Sequence, residues 1–197
     1  VEQALAALEH GKHVIVEKPA AVTRGDVQRL IDAARANGVY FFEAITTLFM
    51  PQYEACRLLL PKLGRIEQAH ITYAQYSSRY DAYLRGENPN IFNPAMQAGA
   101  LNDMGVYCVH MAVDLFGVPQ QLYNFKGTYS DLEIDSDDLS VYIAKYPTLL
   151  AEVHLDYFGR GYRRSIELFC RDGSYLADFG AGTLTLPDGT VQHYEED

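Results

Sequence analysis

The stretch His13-Val14-Ile15-Val16-Glu17-Lys18-Pro19 decides the fold of the first part of this chain. A run of β-branched residues that ends at two charges and a proline is typical of a buried strand with a defined end. Open α/β sheets bind their ligands at the carboxyl ends of such strands, so Lys18 occupies a position suited to chemistry. A solvated strand end is the alternative that these residues alone leave open.

Helical and strand patterns alternate around this stretch. The spacing of apolar residues predicts helices over 1–10 and 23–37 and a second short buried strand over 39–42. Gly11 and Gly38 follow the two helices as stop signals. This order of elements predicts parallel strands joined by a crossover helix, which is the closing part of a doubly wound α/β sheet.

The pattern changes after about Thr46. Helices are predicted over 51–63 and 98–116, with a long strand over 65–78 and a polar loop over 79–94 between them. From Gln120 onward short strands follow one another, and we predict them over residues 122–129, 139–146, 150–158, 164–170, 174–179, 183–186 and 190–193. The pairs Asp172-Gly173 and Asp188-Gly189 are tight-hairpin signals. This part is therefore predicted to be an α+β domain with a large, mostly antiparallel sheet.

Composition limits the possible functions. The net charge of −10 argues against nucleic-acid binding, because a polyanion would be repelled and no lysine/arginine cluster offsets this charge. No apolar stretch approaches the length that spans a bilayer. The three cysteines lie far apart among apolar neighbours, at Cys56, Cys108 and Cys170. Free thiols in a reducing compartment explain them better than a metal site does, so the sequence favours the cytoplasm.

The two ends of the chain are unusual. There is no initiator methionine, and the first residues run straight into a helical pattern. The last residues, Glu195-Glu196-Asp197, follow a predicted strand without a closing element. We therefore expect a fragment cut at both ends, on which an export signal of the parent protein would not be visible.

The predicted helix over 98–116 has two unlike faces. Intervals of four, three and four residues place four side chains on one stripe, namely Asp103, Tyr107, His110 and Asp114. The opposite face is apolar and is predicted to pack into the core through Leu101, Met104, Cys108, Ala112 and Leu115. An acid, a phenol and an imidazole on one stripe are all groups that can exchange or hold protons, as a proton-transfer site requires. The alternative is that they only satisfy hydrogen bonds, and Asp114 near the helix end is predicted to be structural.

Two further groups of residues are weaker candidates. Arg79 and Tyr80 lie in a loop of the kind that covers a polar substrate, although a solvated loop explains them better. Tyr123, Phe125 and Tyr129 share one strand face, for which we predict packing in the core or at an interface rather than ligand stacking.

Two stretches resemble the glucose–fructose oxidoreductase/inositol dehydrogenase (Gfo/Idh/MocA) family of nicotinamide-dependent oxidoreductases. Residues 11–19 are similar to the family's Glu-Lys-Pro segment, and residues 98–107 are similar to its Gly-rich stretch leading into Asp-x-x-x-Tyr. Glu43-Ala44 followed by Phe49-Met50-Pro51 looks like the link between domains in the dihydrodiol dehydrogenase-like branch. The resemblance covers essentially the whole chain, but only the middle of a family member.

The resemblance implies the domain organisation and the activity. Residues 1–46 would be the end of an incomplete Rossmann dinucleotide-binding domain, and residues 47–197 an α+β domain for substrate binding and dimerisation. The parent enzyme would transfer hydride between NAD or NADP and a sugar, polyol or related secondary alcohol or carbonyl. It would be a homodimer or a dimer of dimers through the open sheet. Alternatives are a non-catalytic regulator of the same fold that binds nucleotide or sugar, or an inert dimerisation fragment.

The resemblance also implies roles for individual residues. Lys18 would lie between the nicotinamide and the substrate hydroxyl, where its charge favours the alkoxide that develops as hydride leaves. Tyr107 matches the acid/base position. Asp103 matches a substrate-binding residue. The remaining candidates are His110, Arg79 and Tyr80 for the substrate, and Glu17 and Pro19, beside Lys18, for the cofactor.

The sequence departs from the family pattern in three places. The Gly-rich turn that holds the pyrophosphate is absent, together with the charged residue that selects NAD or NADP. Ala98-Gly99 replaces a Gly-Gly pair. Thr46-Thr47-Leu48 occupies a linker in which relatives often carry an arginine.

Overall fold

The computed structural model of the protein describes residues 1–195. The expectation for the chain end, Glu195-Glu196-Asp197, therefore falls partly outside the described residues. The chain forms two compact units, the first over residues 1–46 and the second from residue 47 onward. Each unit has a hydrophobic core of its own.

The first unit is a two-stranded parallel sheet with two helices. Its elements are α1 (Glu2–Glu9), β1 (Val14–Val16), α2 (Arg24–Ala36) and β2 (Phe41–Glu43). The two strands pair in parallel, with Val14 opposite Phe41 and Val16 opposite Glu43, so the predicted αβαβ arrangement is confirmed. Thr23 caps α2, because its Oγ1 accepts a hydrogen bond of 3.1 Å from the backbone nitrogen of Asp26.

The two faces of this small sheet differ. Leu8 of α1 and Leu30 of α2 are fully buried and pack with the inward side chains of β1 and β2. The alternate positions, Ile15 and Phe42, are exposed. This alternation follows from the period of two along a strand, which sends successive side chains to opposite faces.

The second unit is built on one eight-stranded sheet. Its strands are β3 (Ile66–Ala74), β4 (Gln121–Gly127), β5 (Leu139–Lys145), β6 (Leu150–Asp156), β7 (Arg163–Cys170), β8 (Gly173–Asp178), β9 (Thr183–Thr185) and β10 (Val191–His193). They lie in the order β10-β9-β8-β7-β3-β6-β5-β4. Up to residue 195, β3 with β6 is the one parallel pair in this sheet and the other neighbours are antiparallel. The prediction of a large, mostly antiparallel sheet is confirmed.

Up to residue 195, the second unit contains three α-helices. They are α3 (Pro51–Leu59), α4 (Tyr80–Leu84) and α5 (Val106–Phe116). A π-helical turn, Leu101–Gly105, leads directly into α5. The apolar stripe predicted for this helix does face the core: Met104, Cys108 and Ala112 are buried, and the other two members pack against them.

Two details differ from expectation. The predicted polar loop over 79–94 contains α4 and a short 3-10 helix at Asn90–Phe92, because the rings of Tyr80 and Phe92 pack edge to face in the core. Core packing is the wrong explanation for Tyr123 and Phe125. They lie on the edge strand β4, on the sheet face opposite the helices, and are more than half exposed.

Both predicted hairpins are present. Asp172-Gly173 joins β7 to β8, and Asp188-Gly189 lies between β9 and β10. Gly173 and Gly189 have positive φ angles of 135° and 84°, which glycine adopts without steric cost. Among the residues that the structure describes, no helix is both long and apolar enough to cross a membrane.

Candidate active site

Lys18 lies just beyond the end of β1, at the carboxyl edge of the parallel pair. The connection that carries it is tied to the neighbouring strand, because Oε1 of Glu43 accepts a hydrogen bond of 2.7 Å from the backbone nitrogen of Ala20. Glu43 is the last residue of β2 and pairs with Val16, the last residue of β1. Glu17, Lys18 and Pro19 therefore occupy a fixed position at the edge where open α/β sheets bind ligands.

The residues of the first unit fit one end of a dinucleotide. A pyrophosphate is usually held by a Gly-rich turn between a strand and a helix. In residues 1–46 the two glycines with positive φ, Gly11 and Gly38, instead follow helices. The described residues of the first unit thus provide the carboxyl edge of a parallel strand pair but no Gly-rich turn between a strand and a helix.

The π-helical turn of the second unit is anchored at its start by Asp137. The backbone nitrogen of Ala100 donates to the Asp137 carbonyl at 2.8 Å, and that of Leu101 donates to Asp137 Oδ2 at 2.9 Å. Gly99 has a φ of 124°, and a Cβ there would overlap the Asp137 carboxylate. The close approach of these two segments therefore requires glycine at this position.

The carboxylate of Asp103 accepts a hydrogen bond from a buried tyrosine. The hydroxyl of Tyr157 lies 3.0 Å from Asp103 Oδ2 and 3.2 Å from the carbonyl oxygen of Gly99. Tyr157 is completely buried. Burial, together with the neighbouring Asp103 carboxylate, raises the pKa of this phenol, so it remains protonated and can donate its proton to these oxygens.

The ring of Tyr107 packs against another aromatic side chain. Its ring stacks on Tyr73 of β3, with ring centres 5.4 Å apart and planes at 13°. The guanidinium of Arg164 lies 4.4 Å from the centre of the Tyr73 ring and 4.8 Å from that of Tyr162. Nη2 of Arg164 also donates to Gln75 Oε1 at 2.9 Å. The Arg164 cation thus contacts the Tyr73 ring on which Tyr107 stacks.

The other candidates from the sequence lie as follows. His110 is half-buried on α5, one turn beyond Tyr107, and Asp114 accepts a 2.7 Å hydrogen bond from the hydroxyl of Tyr53. Arg79 is exposed at the start of α4. Tyr80 is only 6% exposed, and its ring packs in the core. The helix therefore brings Asp103, Tyr107 and His110 together, whereas Arg79 and Tyr80 belong to another element.

Sequence reasoning missed the residues that hold this helix in place. Tyr73, Asp137, Tyr157 and Arg164 lie on other elements, and Tyr157 is 54 residues from Asp103. Periodicity within one helix cannot identify such partners. The only available signal was that Tyr157 and Arg164 lie near the ends of predicted strands, and Tyr73 and Asp137 gave none. Among residues 1–195, no group of three or more His, Cys, Asp or Glu side chains is arranged to bind a metal ion.

Comparison with known families gives two matches that together cover most of the chain. Residues 61–176 match the model of the GFO/IDH/MocA C-terminal domain. Residues 1–45 match the model of an oxidoreductase family with an NAD-binding Rossmann fold.

Two characterised types of enzyme are similar in sequence. The scyllo-inositol 2-dehydrogenase (NADP(+)) IolU of Bacillus subtilis is 44% identical over 121 residues, which cover 61% of this chain and 37% of that protein. The trans-1,2-dihydrobenzene-1,2-diol dehydrogenase of Macaca fascicularis is 30% identical over 152 residues, which cover 76% of this chain and 42% of that protein. The chain thus spans less than half the length of these relatives.

Solved structures share the fold over nearly the whole chain. An inositol dehydrogenase homolog from Azotobacter vinelandii, complexed with NAD+, superposes with a TM-score of 0.83 at 19% identity and covers 98% of this chain and 53% of that one. The WlbA dehydrogenase of Bordetella pertussis, in complex with NADH and UDP-GlcNAcA, gives a TM-score of 0.81 at 18% identity. The match covers 100% of this chain and 56% of that one.

Proposed function

This chain belongs to the GFO/IDH/MocA family of oxidoreductases, and on that premise we propose that the protein containing it transfers hydride between NAD or NADP and a polyol, sugar or related secondary alcohol or carbonyl. One observation carries the proposal. Asp103 and Tyr107, the pair in the family's Asp-x-x-x-Tyr position, lie one helical turn apart, and each is held by a buried tyrosine.

The proposed division of labour follows the two units. Residues 1–46 would form the last part of a Rossmann dinucleotide-binding domain, with Glu17, Lys18 and Pro19 at its ligand-binding edge. Residues 47–197 would form the substrate-binding domain. Asp103 and His110 would contact the substrate there. Arg79, which is exposed, would reach it from α4, and the buried Tyr80 would support that helix.

Oxidation of a secondary alcohol removes a hydride from carbon and a proton from oxygen. NAD or NADP, when bound, supplies the carbon that accepts the hydride. Tyr107, as the phenolate, would accept the hydroxyl proton, and in the reverse direction its phenol would donate that proton to the carbonyl oxygen. The ammonium group of Lys18 would stabilise the alkoxide, because a positive charge lowers the energy of a developing anion. Asp103 would orient the substrate by accepting a hydrogen bond from a hydroxyl.

The relatives narrow the proposed substrate class. One is named for scyllo-inositol and the other for trans-1,2-dihydrobenzene-1,2-diol. Both compounds carry hydroxyl groups on adjacent carbons of a six-membered ring. A carboxylate such as Asp103 can accept hydrogen bonds from two neighbouring hydroxyls. We therefore favour a cyclic compound with adjacent hydroxyl groups.

We also propose that the protein forms a homodimer, or a dimer of dimers, through the open face of its large sheet. This face presents Tyr123 and Phe125 beside Val141 and Ile143, which alternate with core-facing residues of β5. An aromatic and aliphatic patch of this kind is typical of an interface core.

The proposed compartment is the cytoplasm. This proposal rests on three free thiols among the described residues, of which two are buried. Burial raises the pKa of the Cys56 thiol to about 12, so this group stays protonated and unreactive. Such thiols persist where the surroundings are reducing.

The experiment that tests the function replaces Lys18 by methionine in the protein that contains this chain. Lys18→Met should lower turnover of the polyol by a factor of about 10²–10³ or more, since it removes one electrostatic stabiliser of the transition state, while NADH binding changes little. Lys12→Met, an exposed lysine in the turn after α1, is the matched control and should retain activity. Unchanged turnover in Lys18→Met would refute the assignment. Nucleotide binding without turnover of any alcohol or carbonyl would instead support the alternative function, a non-catalytic regulator of the same fold.

A further inference from the structure

Tyr157 occupies a junction between three segments of the second unit. It follows directly after β6, and its backbone is fixed on both sides. Its nitrogen donates to the carbonyl of Asp138 at 3.0 Å, and its own carbonyl accepts from the nitrogen of Ser77 at 2.8 Å. The ring packs edge to face on Phe92, with ring centres 5.4 Å apart. The direction of the Tyr157 side chain is therefore determined by packing and not by its hydroxyl alone.

The hydroxyl meets two oxygen atoms of the same helical turn. These are Oδ2 of Asp103 at 3.0 Å and the carbonyl oxygen of Gly99 at 3.2 Å. A phenol has one proton, so this proton is shared between the carboxylate and the start of the turn. Because Tyr157 is completely buried, water cannot replace it as the donor without a cavity being opened.

We propose that Tyr157 is the positioning residue for Asp103: its hydroxyl fixes the carboxylate of Asp103 in the orientation that receives the substrate hydroxyl. This inference rests on the proposed function, in which Asp103 binds the substrate. Holding Oδ2 fixes the plane of the carboxylate and with it the direction of Oδ1. A hydrogen bond to an ionised group is also stronger than one between neutral groups, so the restraint is firm.

The position of Asp103 in a π-helical turn makes the hydrogen bond from Tyr157 more important for the direction of its side chain. Asp103 lies in the π-helical turn Leu101–Gly105, where the backbone is wider than in an α-helix. In such a turn the backbone alone defines the side-chain direction less tightly. Tyr157 binds both the carboxylate and the carbonyl of Gly99, just before the turn, and so fixes Asp103 relative to the helix start.

The test is Tyr157→Phe in the protein that contains this chain, with a cyclic polyol as the substrate. The ring and its packing on Phe92 remain, and only the hydroxyl is lost. We expect kcat/KM for the polyol to fall by roughly ten- to a hundredfold, the effect of losing a hydrogen bond to a charged group. The dissociation constant of NADH should stay within about twofold, because Tyr157 acts through Asp103. The control is Tyr146→Phe, which removes another buried hydroxyl, one without a hydrogen-bond partner among the described residues.

A double-mutant cycle separates this inference from the proposed function. In an Asp103→Asn background, Tyr157→Phe should cost less than about threefold, because the group that it positions has already been changed. If Asp103→Asn alone leaves kcat/KM unchanged, the proposed role of Asp103 fails and this inference with it. If Asp103→Asn is impaired but Tyr157→Phe is not, or if the two effects multiply, only the inference is overturned. A Tyr157→Phe protein that no longer folds or binds NADH would show that the hydroxyl is structural, which also overturns it.

Discussion

Oδ2 of Asp137 lies 2.9 Å from the backbone nitrogen of Leu101, although 36 positions separate the two residues along the chain. The same carboxylate oxygen accepts a hydrogen bond of 2.6 Å from the hydroxyl of Ser140. A buried side chain from the segment before β5 thus satisfies the backbone at the start of the helix that carries Asp103. The first backbone amides of a helix have no partner within the helix, and Asp137 supplies one.

Replacing Asp137 should therefore destabilise the second unit. Asp137→Ala removes two hydrogen bonds and leaves the partly buried amide of Leu101 without this partner, so we expect the free energy of unfolding to fall by about 1–3 kcal/mol. Urea unfolding followed by circular dichroism measures this. Asp135→Ala, at an exposed position two residues earlier, should change the stability by less than about 0.5 kcal/mol. Equal effects of the two variants would contradict the anchoring role.

The stack of Tyr73 on Tyr107 gives a prediction about activity. Tyr73→Leu removes the flat surface against which the Tyr107 ring lies, so kcat/KM should fall by about tenfold or more, since small misplacements of a catalytic group are costly. Tyr73→Phe keeps the ring and is the matched control, for which we expect a change within about threefold. Steady-state kinetics with the polyol and NAD or NADP would show this. A larger loss in Tyr73→Phe would mean that the hydroxyl, and not the ring, is the important part.

The pH dependence of stability should report the pair of His154 and Asp156. A hydrogen bond of 2.8 Å to Asp156 raises the pKa of His154, against the opposing effect of partial burial. A raised pKa in the folded state means that the protonated histidine stabilises the fold fully below its unfolded pKa of about 6.5. This contribution is lost as the pH rises through the folded-state value.

The measurement is the unfolding free energy at several values from about pH 5.5 to about pH 8.5, a range that includes the titration of a histidine. In the unchanged protein, the part of the stability that comes from His154 should decrease with rising pH. His154→Gln removes the titrating group, so the difference in stability between the two proteins should shrink as the pH rises. A difference that stays constant with pH would contradict the prediction.

The proposed dimer can be tested on a single strand. Phe125 lies on the open face of β4 and is 64% exposed, whereas Leu122 of the same strand is 58% exposed and points to the other face. Phe125→Asp should place an unpaired charge in the interface and shift the protein towards the monomer, as measured by light scattering after gel filtration. Leu122→Asp is the control for exposure and should leave the dimer intact. A dimer that survives Phe125→Asp would place the interface elsewhere.

Local patterns in the sequence predicted most of the elements. Alternation of apolar residues located the strands of the large sheet, and the Asp-Gly pairs located two of its hairpins, because both signals act over a few residues. The stripe of Asp103 and Tyr107 was visible for the same reason. Each of these features depends only on residues that are close together in the sequence, within one element or one turn.

Features that depend on pairing between distant segments were not predictable. The parallel pairing of β3 with β6 places Tyr73 opposite Leu155, and so brings the ends of strands that are far apart in sequence to the same helix. The roles of Tyr157 and Asp137 follow from this topology. Alternation gives the face of each side chain but not the order of the strands, so their contact with the helix start could not be read from the sequence.

The π-helical turn has a consequence for how this helix tolerates changes in length. A turn with i→i+5 hydrogen bonds accommodates one more residue than an α-helical turn. Deleting one residue from Leu101–Gly105 would allow the turn to close as an α-helix while the core contacts of α5 stay in place. The segments on either side of the turn would then keep their rotational phase, because the deletion removes only the residue that the wider turn accommodates. A single deletion here would thus rearrange only the turn that carries Asp103, and could change the direction of its carboxylate while the core contacts of α5 stay in place.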